Sequence, residues 1–149
     1  MTDDQVLDPQ AKGEMLAAKA TENMNVGFNE LLALKYTEVT KDRVAAEFTI
    51  TPALHQPFGI VHGGVYCGVI ETLASLGGAY WYGSQGKVVG VNNNTDFLRS
   101  VREGTLHAEA TPLHRGRTQQ LWLVTITDEE DRLVARGQVR LANLPEQAK

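Results

Sequence analysis

One stretch constrains the fold more than any other part of the chain: residues 55–82, HQPFGIVHGGVYCGVIETLASLGGAYWY. From Val65 onward its apolar residues recur at spacings of three, four and seven, and Glu71 is the one charged residue among them. A helix that is apolar nearly all round is buried inside a domain. This one is too short and too often interrupted by glycine to span a membrane. We therefore expect a central buried helix that carries a single carboxylate.

Strand patterns lie on both sides of this helix. Before it, KYTEVT and RVAAEFTI alternate loosely around a turn at Lys41-Asp42. After it, turn residues separate four predicted strands, which cover residues 87–99, 105–113, 118–128 and 133–142. Short connections indicate antiparallel neighbours. The predicted fold class is α+β: an antiparallel sheet wrapped around one long central helix.

The length of 149 residues suits a single domain, which we expect over residues 25–144. We expect residues 1–24 to be an N-terminal extension, loose to about residue 12 and then helical over 14–20, and residues 145–149 to be a frayed tail. Residues 25–34 have the pattern of a second short helix. The opening residues lack the apolar segment of a secretory signal, and one cysteine suits a reducing compartment, so we expect a cytoplasmic protein.

Charge and strand length limit the possible partners. The formal net charge of −4 argues against nonspecific binding to nucleic acid or to an anionic membrane. Long edge strands favour pairing with a second copy of the chain, so a homodimer is expected. His55 and His62 lack a third ligand at a recognisable spacing, and no metal site is predicted.

Glu71 is the first candidate catalytic residue, because a carboxylate among apolar neighbours needs a specific partner and such groups concentrate at functional sites. An ordinary helix-surface glutamate remains the simpler alternative. Ser75, one turn later on the same face, could hold this carboxylate or a water, or could be a small residue that permits close packing. Cys67 lies on that face too, and without an evident base we expect it to be a small core residue.

The sequence His62-Gly63-Gly64 begins the helix and is the second candidate. Free N–H groups at a helix start can polarise a carbonyl oxygen, and glycine lets a ligand approach the backbone. Gln56 could add a second donor to the same oxygen. The alternatives are a flexible turn and a loop amide that bonds its own backbone.

The spacing of these candidates has a consequence for assembly. Glu71 follows Gly63 by eight residues, which is roughly 12 Å along a helix axis. One acyl group cannot easily contact both within one chain. If both act on one bond, two antiparallel helices must supply them, and a symmetric dimer does this twice.

Two polar stretches further on could bind phosphate. NNNTDFLRS (92–100) places Asn94 and Arg99 near the end of one strand, and His114-Arg115-Gly116-Arg117 forms a basic turn. Guanidinium groups suit phosphates because they donate two parallel hydrogen bonds. For any single residue, a solvated strand end is the simpler interpretation.

Taken together, these residues resemble the hotdog-fold acyl-CoA thioesterases of the glutamate type. The similarity is to the branch with 4-hydroxybenzoyl-CoA, 1,4-dihydroxy-2-naphthoyl-CoA and enterobactin-pathway proofreading thioesterases. It covers about residue 25 to the last strand. The matching elements are HQPFGxxHGGxxxxxxETLxS at 55–75, VVG at 88–90, Asn94, Arg99, LHxGR at 113–117 and Trp122.

The resemblance implies hydrolysis of an acyl-CoA thioester, with an aromatic acyl group expected. Glu71 would attack the carbonyl or activate water, and the Gly63 N–H would polarise the carbonyl, with help from Gln56, His62 and Ser75. The implied CoA contacts are Gly90, Asn94, Arg99, Arg115, Gly116 and Arg117. The implied acyl-pocket residues are Phe58, Leu73, Leu76 and Phe97. No metal or redox cofactor is implied, and the expected homo-oligomer is an obligatory dimer that forms a tetramer.

The sequence also departs from that pattern. Phe97 and Leu98 stand where enterobactin-type relatives carry two histidines, and Ser100 stands where they carry proline. Two alternatives stay open: hydrolysis of acyl groups on an acyl or aryl carrier protein, and a non-catalytic acyl-CoA-binding protein of the same fold. In the second case Glu71→Ala would leave function unaffected.

Overall fold

The computed structural model describes residues 8–146, so the predictions for residues 1–7 and 147–149 lie outside the described part. Within residues 8–146 there are three α-helices and six strands, with single 3-10 turns at 52–54 and 83–85. The helices are α1 (Pro9–Met24), α2 (Phe28–Leu32) and α3 (Gly63–Tyr82). The strands are β1 (Lys35–Val39), β2 (Val44–Thr49), β3 (Gly86–Phe97), β4 (Thr105–Arg115), β5 (Gln119–Thr127) and β6 (Leu133–Pro145).

The strands form one sheet in the order β1-β2-β4-β5-β6-β3, and every pairing is antiparallel. Helix α3 contacts five of the six strands, β2 to β6, so the sheet wraps around it. The edges of the sheet are β1 and β3. The predicted fold class, an antiparallel sheet around one long helix, is confirmed.

Helix α3 is held on the sheet by a fully buried apolar face. Val69, Ile70 and Leu73 are fully buried in the core that the helix shares with Trp122 of β5. Gly77 lies directly against this indole, since a Cβ at that position would be 2.7 Å from the ring. The helix ends at Gly83, which adopts φ 57° and donates its N–H to the Ala79 carbonyl. This left-handed conformation favours glycine.

The N-terminal helix is longer than the sequence pattern predicted. Helix α1 begins at Pro9, because the Asp8 side chain caps it by accepting from the N–H groups of residues 10 and 11. Residues 9–12 are therefore helical, not loose. Ala17 and Ala20 are buried, and the backbone N–H of Tyr36 in β1 donates to Thr21 at 2.9 Å. None of the helices within residues 8–146 combines the length and hydropathy needed to cross a bilayer.

Gly77→Ala should destabilise the fold, because the added methyl group would overlap the Trp122 ring at the centre of the core. We expect a loss of about 1–3 kcal/mol in the free energy of unfolding, measured by urea denaturation. Gly13→Ala is the matched control, since a Cβ there meets nothing within 4 Å. Its better helix propensity should leave stability equal or slightly higher. Equal stability of the two variants would contradict this packing.

Candidate active site

The N-terminus of α3 opens into a cavity of about 470 Å³. Its walls come from the loop before α3, the first turn of α3 and the end of β3 with the residues that follow. They are Gln56, Ile60, Val61, His62, Gly63, Gly64, Tyr66, Phe97, Leu98, Arg99 and Ser100. Three of the predicted catalytic residues, Gln56, His62 and Gly63, thus share one cavity.

The first turn of α3 presents one free backbone donor to this cavity. His62 caps the helix, because its Nδ1 accepts from the Gly64 N–H at 2.8 Å. A neutral imidazole that accepts at Nδ1 carries its proton at Nε2 and can donate there. Within residues 8–146 the Gly63 N–H has no acceptor. The positive end of the helix dipole lies at the same place. The Gly63 N–H and the positive end of the dipole could together stabilise an oxygen atom that gains negative charge during a reaction.

Gln56 belongs to a loop that is fixed on both sides. Its side-chain oxygen accepts from the Phe58 N–H, and its backbone N–H donates to the Ile60 carbonyl at 2.8 Å. Arg102 secures the same loop by donating to the carbonyls of Phe58 and Gly59, each at 3.2 Å. The Gln56 side chain therefore does bond the backbone of its own loop, since its oxygen accepts from the Phe58 N–H. Within residues 8–146 its NH₂ group has no hydrogen-bond partner, and Gln56 lines the same cavity as Gly63.

Glu71 lies two turns further along α3 and is partly exposed in the cleft between this helix and β3, where Cys67, Gly90 and Asn93 also lie. Asn93 of β3 donates its amide to Glu71 Oε2 at 3.0 Å. The Ser75 hydroxyl is 3.5 Å from Oε1, at the limit of a hydrogen bond. Gly90 of β3 lies directly beneath Oε1, which would collide with a Cβ at that position. The carboxylate is held in place but remains open to a ligand.

A β-bulge brings these β3 residues to Glu71. Gly90 pairs with Leu141 and Asn92 with Arg140, so Val91 is the extra residue. The bulge inverts the alternation, and residues 93, 95 and 97 face α3 together with Gly90. Asn94, predicted from sequence, points to the other face and lines a surface cleft with Arg136. Asn93 was missed because a strict period of two places it on the wrong face. Gly90 was the available sequence signal, because a glycine within a strand often marks a bulge or a close contact.

Cys67 differs from its prediction as a core residue. It is partly exposed on the face of α3 that carries Glu71, and its backbone carbonyl accepts from Asn93 at 3.1 Å. The apolar neighbours of this face suggested burial, yet β3 leaves the cleft open here.

The two halves of the candidate site do not meet within one chain. The walls of the cavity at Gly63 do not include Glu71. The eight helical residues between these positions correspond to roughly 12 Å along the axis. The structure thus keeps the separation that the sequence implied.

The predicted phosphate ligands have different environments. Arg115 is already engaged: its guanidinium lies 2.9 Å from Asp42, donates to the Lys41 carbonyl at 2.8 Å and stacks over Trp81 at 5.4 Å. Arg99 and Arg117 are exposed. The turn at Gly116 is rigid, because buried Asn143 donates to the carbonyls of residues 116 and 117 at 2.9 and 3.3 Å. Within residues 8–146, Arg99 and Arg117 are therefore the arginines of the predicted set whose guanidinium groups have no ion-pair partner.

Of the four predicted acyl-pocket residues, Phe97 alone lines the cavity. Its ring covers Gly63, where a Cβ would lie 2.5 Å from it. Leu73 is fully buried in the core and Leu76 packs against that core, because both positions face the sheet. Phe58 is 83% exposed on the loop and does not contribute to the walls. Leu73, Leu76 and Phe58 therefore do not line the cavity of one chain, and their role as acyl-pocket residues stays a prediction.

Tyr66 is a cavity residue that the sequence pattern concealed, because it counted among the apolar positions of the helix. Its ring centroid is 6.0 Å from that of Phe97. The hydroxyl is buried and has no hydrogen-bond partner within residues 8–146. Burial raises the pKa of Tyr66 to about 12, so the phenol stays neutral around neutral pH.

Within residues 8–146, no cluster of three or more His, Cys, Asp or Glu side chains could hold a metal ion.

The sequence and the fold both match known proteins. Residues 58–135 match the family described as the Thioesterase superfamily. A Mycobacterium tuberculosis protein named as an esterase is 55% identical over 125 residues, which are 82% of this chain and 89% of that protein. The chain belongs to the thioesterase superfamily. The solved structure of the mycobacterial protein covers 83% of this chain and 100% of its own, with a TM-score of 0.80.

Two further relatives extend the match. The 1,4-dihydroxy-2-naphthoyl-CoA hydrolase of Escherichia coli is 34% identical over 131 residues, 88% of this chain and 93% of that protein. The crystal structure of S. sahachiroi AziG, 46% identical, covers 81% of this chain and 98% of its own, with a TM-score of 0.80. The predicted membership of the hotdog thioesterases is confirmed, and the chain is a thioester hydrolase.

Gly90→Ala should impair hydrolysis with little effect on folding. The added methyl group would displace the end of a flexible, partly exposed side chain, the Glu71 carboxylate, and no core atom. A displacement of about 1 Å can cost on the order of 100-fold in rate. We expect a fall in kcat of that order, with an unfolding midpoint close to that of the unsubstituted protein. An unchanged kcat would show that the carboxylate need not lie against Gly90.

Proposed function

We propose that the protein hydrolyses acyl-CoA thioesters, with Glu71 as the catalytic carboxylate and an aromatic acyl group as the preferred substrate. The observation that carries this is the carboxylate itself. It is the sole charge on α3, it is held by Asn93 and it is open to a ligand. The aromatic preference is supported by the naphthoyl substrate in the name of the E. coli relative.

The chemistry follows from the donors at the helix start. The thioester carbonyl oxygen accepts from the Gly63 N–H and from the Gln56 NH₂, which stabilise the negative charge that develops when the carbonyl carbon is attacked. His62 donates from Nε2 and positions the thioester or the water. Glu71 either attacks the carbon or takes a proton from the attacking water. If water attacks, the tetrahedral intermediate collapses with cleavage of the carbon–sulfur bond, and the proton that Glu71 took passes to the sulfur, so the free acid and the CoA thiol leave. If Glu71 attacks, the CoA thiolate is displaced and an acyl–Glu71 anhydride forms. Water then hydrolyses this anhydride, which releases the acid, restores the carboxylate and supplies the proton for the CoA sulfur. These groups suffice without a metal or redox cofactor.

The site is completed by a second copy of the chain. Strand β3 is a twelve-residue edge strand with exposed Val89 and Val91, which suits pairing with the same strand of another chain. Antiparallel pairing about a two-fold axis runs the two α3 helices in opposite directions. The Gly63 end of one helix then faces Glu71 of the other, and both sites are complete. Two such dimers form the tetramer that the family resemblance implies.

The CoA nucleotide lies over the surface near Asn94, Arg99 and the Gly116-Arg117 turn in this proposal. Arg99 and Arg117 supply the phosphate contacts, since the Arg115 guanidinium is taken up by Asp42 and Trp81. Gly90 contributes by admitting the carboxylate and by leaving the cleft open. The acyl group enters the cavity beside Phe97 and Tyr66.

A thiol-release assay against a panel of benzoyl-, hydroxybenzoyl-, naphthoyl-, short-chain and long-chain CoA thioesters tests the reaction. We expect turnover of an aryl thioester, and a fall in kcat of at least about 100-fold in Glu71→Ala and Glu71→Gln. Glu22→Gln, an exposed glutamate on α1, is the control and should keep full activity. Undiminished turnover in Glu71→Ala would refute the assignment of the catalytic carboxylate.

The Arg117→Ala variant tests whether the substrate is a CoA thioester, which carries a nucleotide, or a thioester on an acyl carrier protein. With CoA thioesters we expect KM to rise about 10-fold through loss of a phosphate contact, with kcat nearly unchanged. With the same acyl group on a pantetheine thioester that lacks the nucleotide, KM should not respond. A KM that is insensitive to Arg117 and Arg99 with CoA substrates would instead favour a carrier protein as the donor.

A further inference from the structure

We propose that Asn93 is a positioning residue that fixes the orientation of the Glu71 carboxylate across the cleft between α3 and β3. The proposal rests on the catalytic role proposed for Glu71 and adds a residue to it. Asn93 stands one position before Asn94, and the bulge at Val91 turns it toward the helix.

The direction of the Asn93 amide is determined by its neighbours. Its Nδ2 donates to the backbone carbonyl of Cys67 at 3.1 Å and to Glu71 Oε2 at 3.0 Å. A backbone carbonyl only accepts, so the NH₂ group must face α3. The opposite end is fixed as well, because the Thr95 hydroxyl donates to Asn93 Oδ1 at 2.7 Å. The amide therefore cannot turn its oxygen toward the carboxylate without losing its bond to the Cys67 carbonyl, whereas the Thr95 hydroxyl can bond either end of the amide.

This donation is the shortest hydrogen bond that the Glu71 carboxylate makes within residues 8–146. The Ser75 contact to Oε1 is 3.5 Å, and Gly90 offers only van der Waals support. A partly exposed glutamate otherwise samples several rotamers, and ordering its long side chain costs free energy. Asn93 removes that freedom before substrate arrives.

A purely structural role is the competing explanation, since the bond to the Cys67 carbonyl also ties β3 to α3. The two explanations differ in what they predict for catalysis at unchanged stability. Positioning affects kcat and the pH dependence of the rate. A strand–helix tie affects the free energy of unfolding, and affects activity only in proportion.

The test uses Asn93→Ala and the nearly isosteric Asn93→Asp, with Asn92→Ala as the matched control. Asn92 is the same residue type on the same strand and has no bond to α3. In both Asn93 variants we expect kcat to fall about 10- to 100-fold with KM within about 2-fold. In Asn93→Asp the acidic limb of the kcat–pH profile should also move to higher pH, because the substitution places a second carboxylate beside Glu71. Asn92→Ala should retain the original kcat and profile.

Unfolding midpoints and a double variant decide between the outcomes. In a Glu71→Gln background, Asn93→Ala should add little, because the group it positions is gone. Unchanged kcat and profile in both Asn93 variants, with Glu71→Gln inactive, would overturn the positioning role and leave the proposed function standing. Full turnover in Glu71→Gln as well would overturn both. An activity loss that follows the loss of stability, with the pH profile unmoved, would assign Asn93 to the strand–helix tie and also overturn the proposal.

Discussion

The close packing of α3 on the sheet is the constraint on which the rest of the structure depends. Gly77 lies against Trp122 at a distance that no side chain permits, and three fully buried aliphatic residues continue the contact. Packing at this density fixes the helix rigidly along its length. Its free N-terminus is thereby held at one end of the sheet, and its single carboxylate beside an edge strand. Both halves of the proposed site are consequences of where this helix sits.

The edge strand β3 is the second element on which the proposed site depends. Because Val91 bulges, β3 presents Gly90 and Asn93 to the same carboxylate, which a regular strand would not do. Gly90 provides the space for the Glu71 carboxylate, and Asn93 provides its hydrogen-bond donor. The same strand is also the surface through which a second chain would complete the site. Catalytic geometry and assembly thus depend on a single element.

The sequence predicted the parts of this picture that follow from periodicity and from a long motif. The buried helix, the antiparallel sheet and the thioesterase family were all predicted correctly from the sequence. The sequence pattern failed where periodicity is locally broken or incomplete: the bulge turned Asn93 toward Glu71 where a strict period of two would not, and Cys67 is partly exposed where burial was expected. Leu73 lies in the core and not at the cavity, because an apolar residue near the cavity and one in the core look alike in sequence. The pairing of Arg115 with Asp42 joins distant positions and leaves no local signal.

Complementation between two inactive variants tests the shared site most directly. Gly63→Pro deletes the donor N–H in the first turn of the helix, where the proline backbone is tolerated, and its added Cβ also displaces the Phe97 ring. Glu71→Ala deletes the carboxylate. In a co-expressed mixture, half of the dimers would be mixed and would hold one intact site of two, so activity should recover to about a quarter of that of the unsubstituted protein. Activity no greater than the mean of the two pure variants would contradict a site built from two chains.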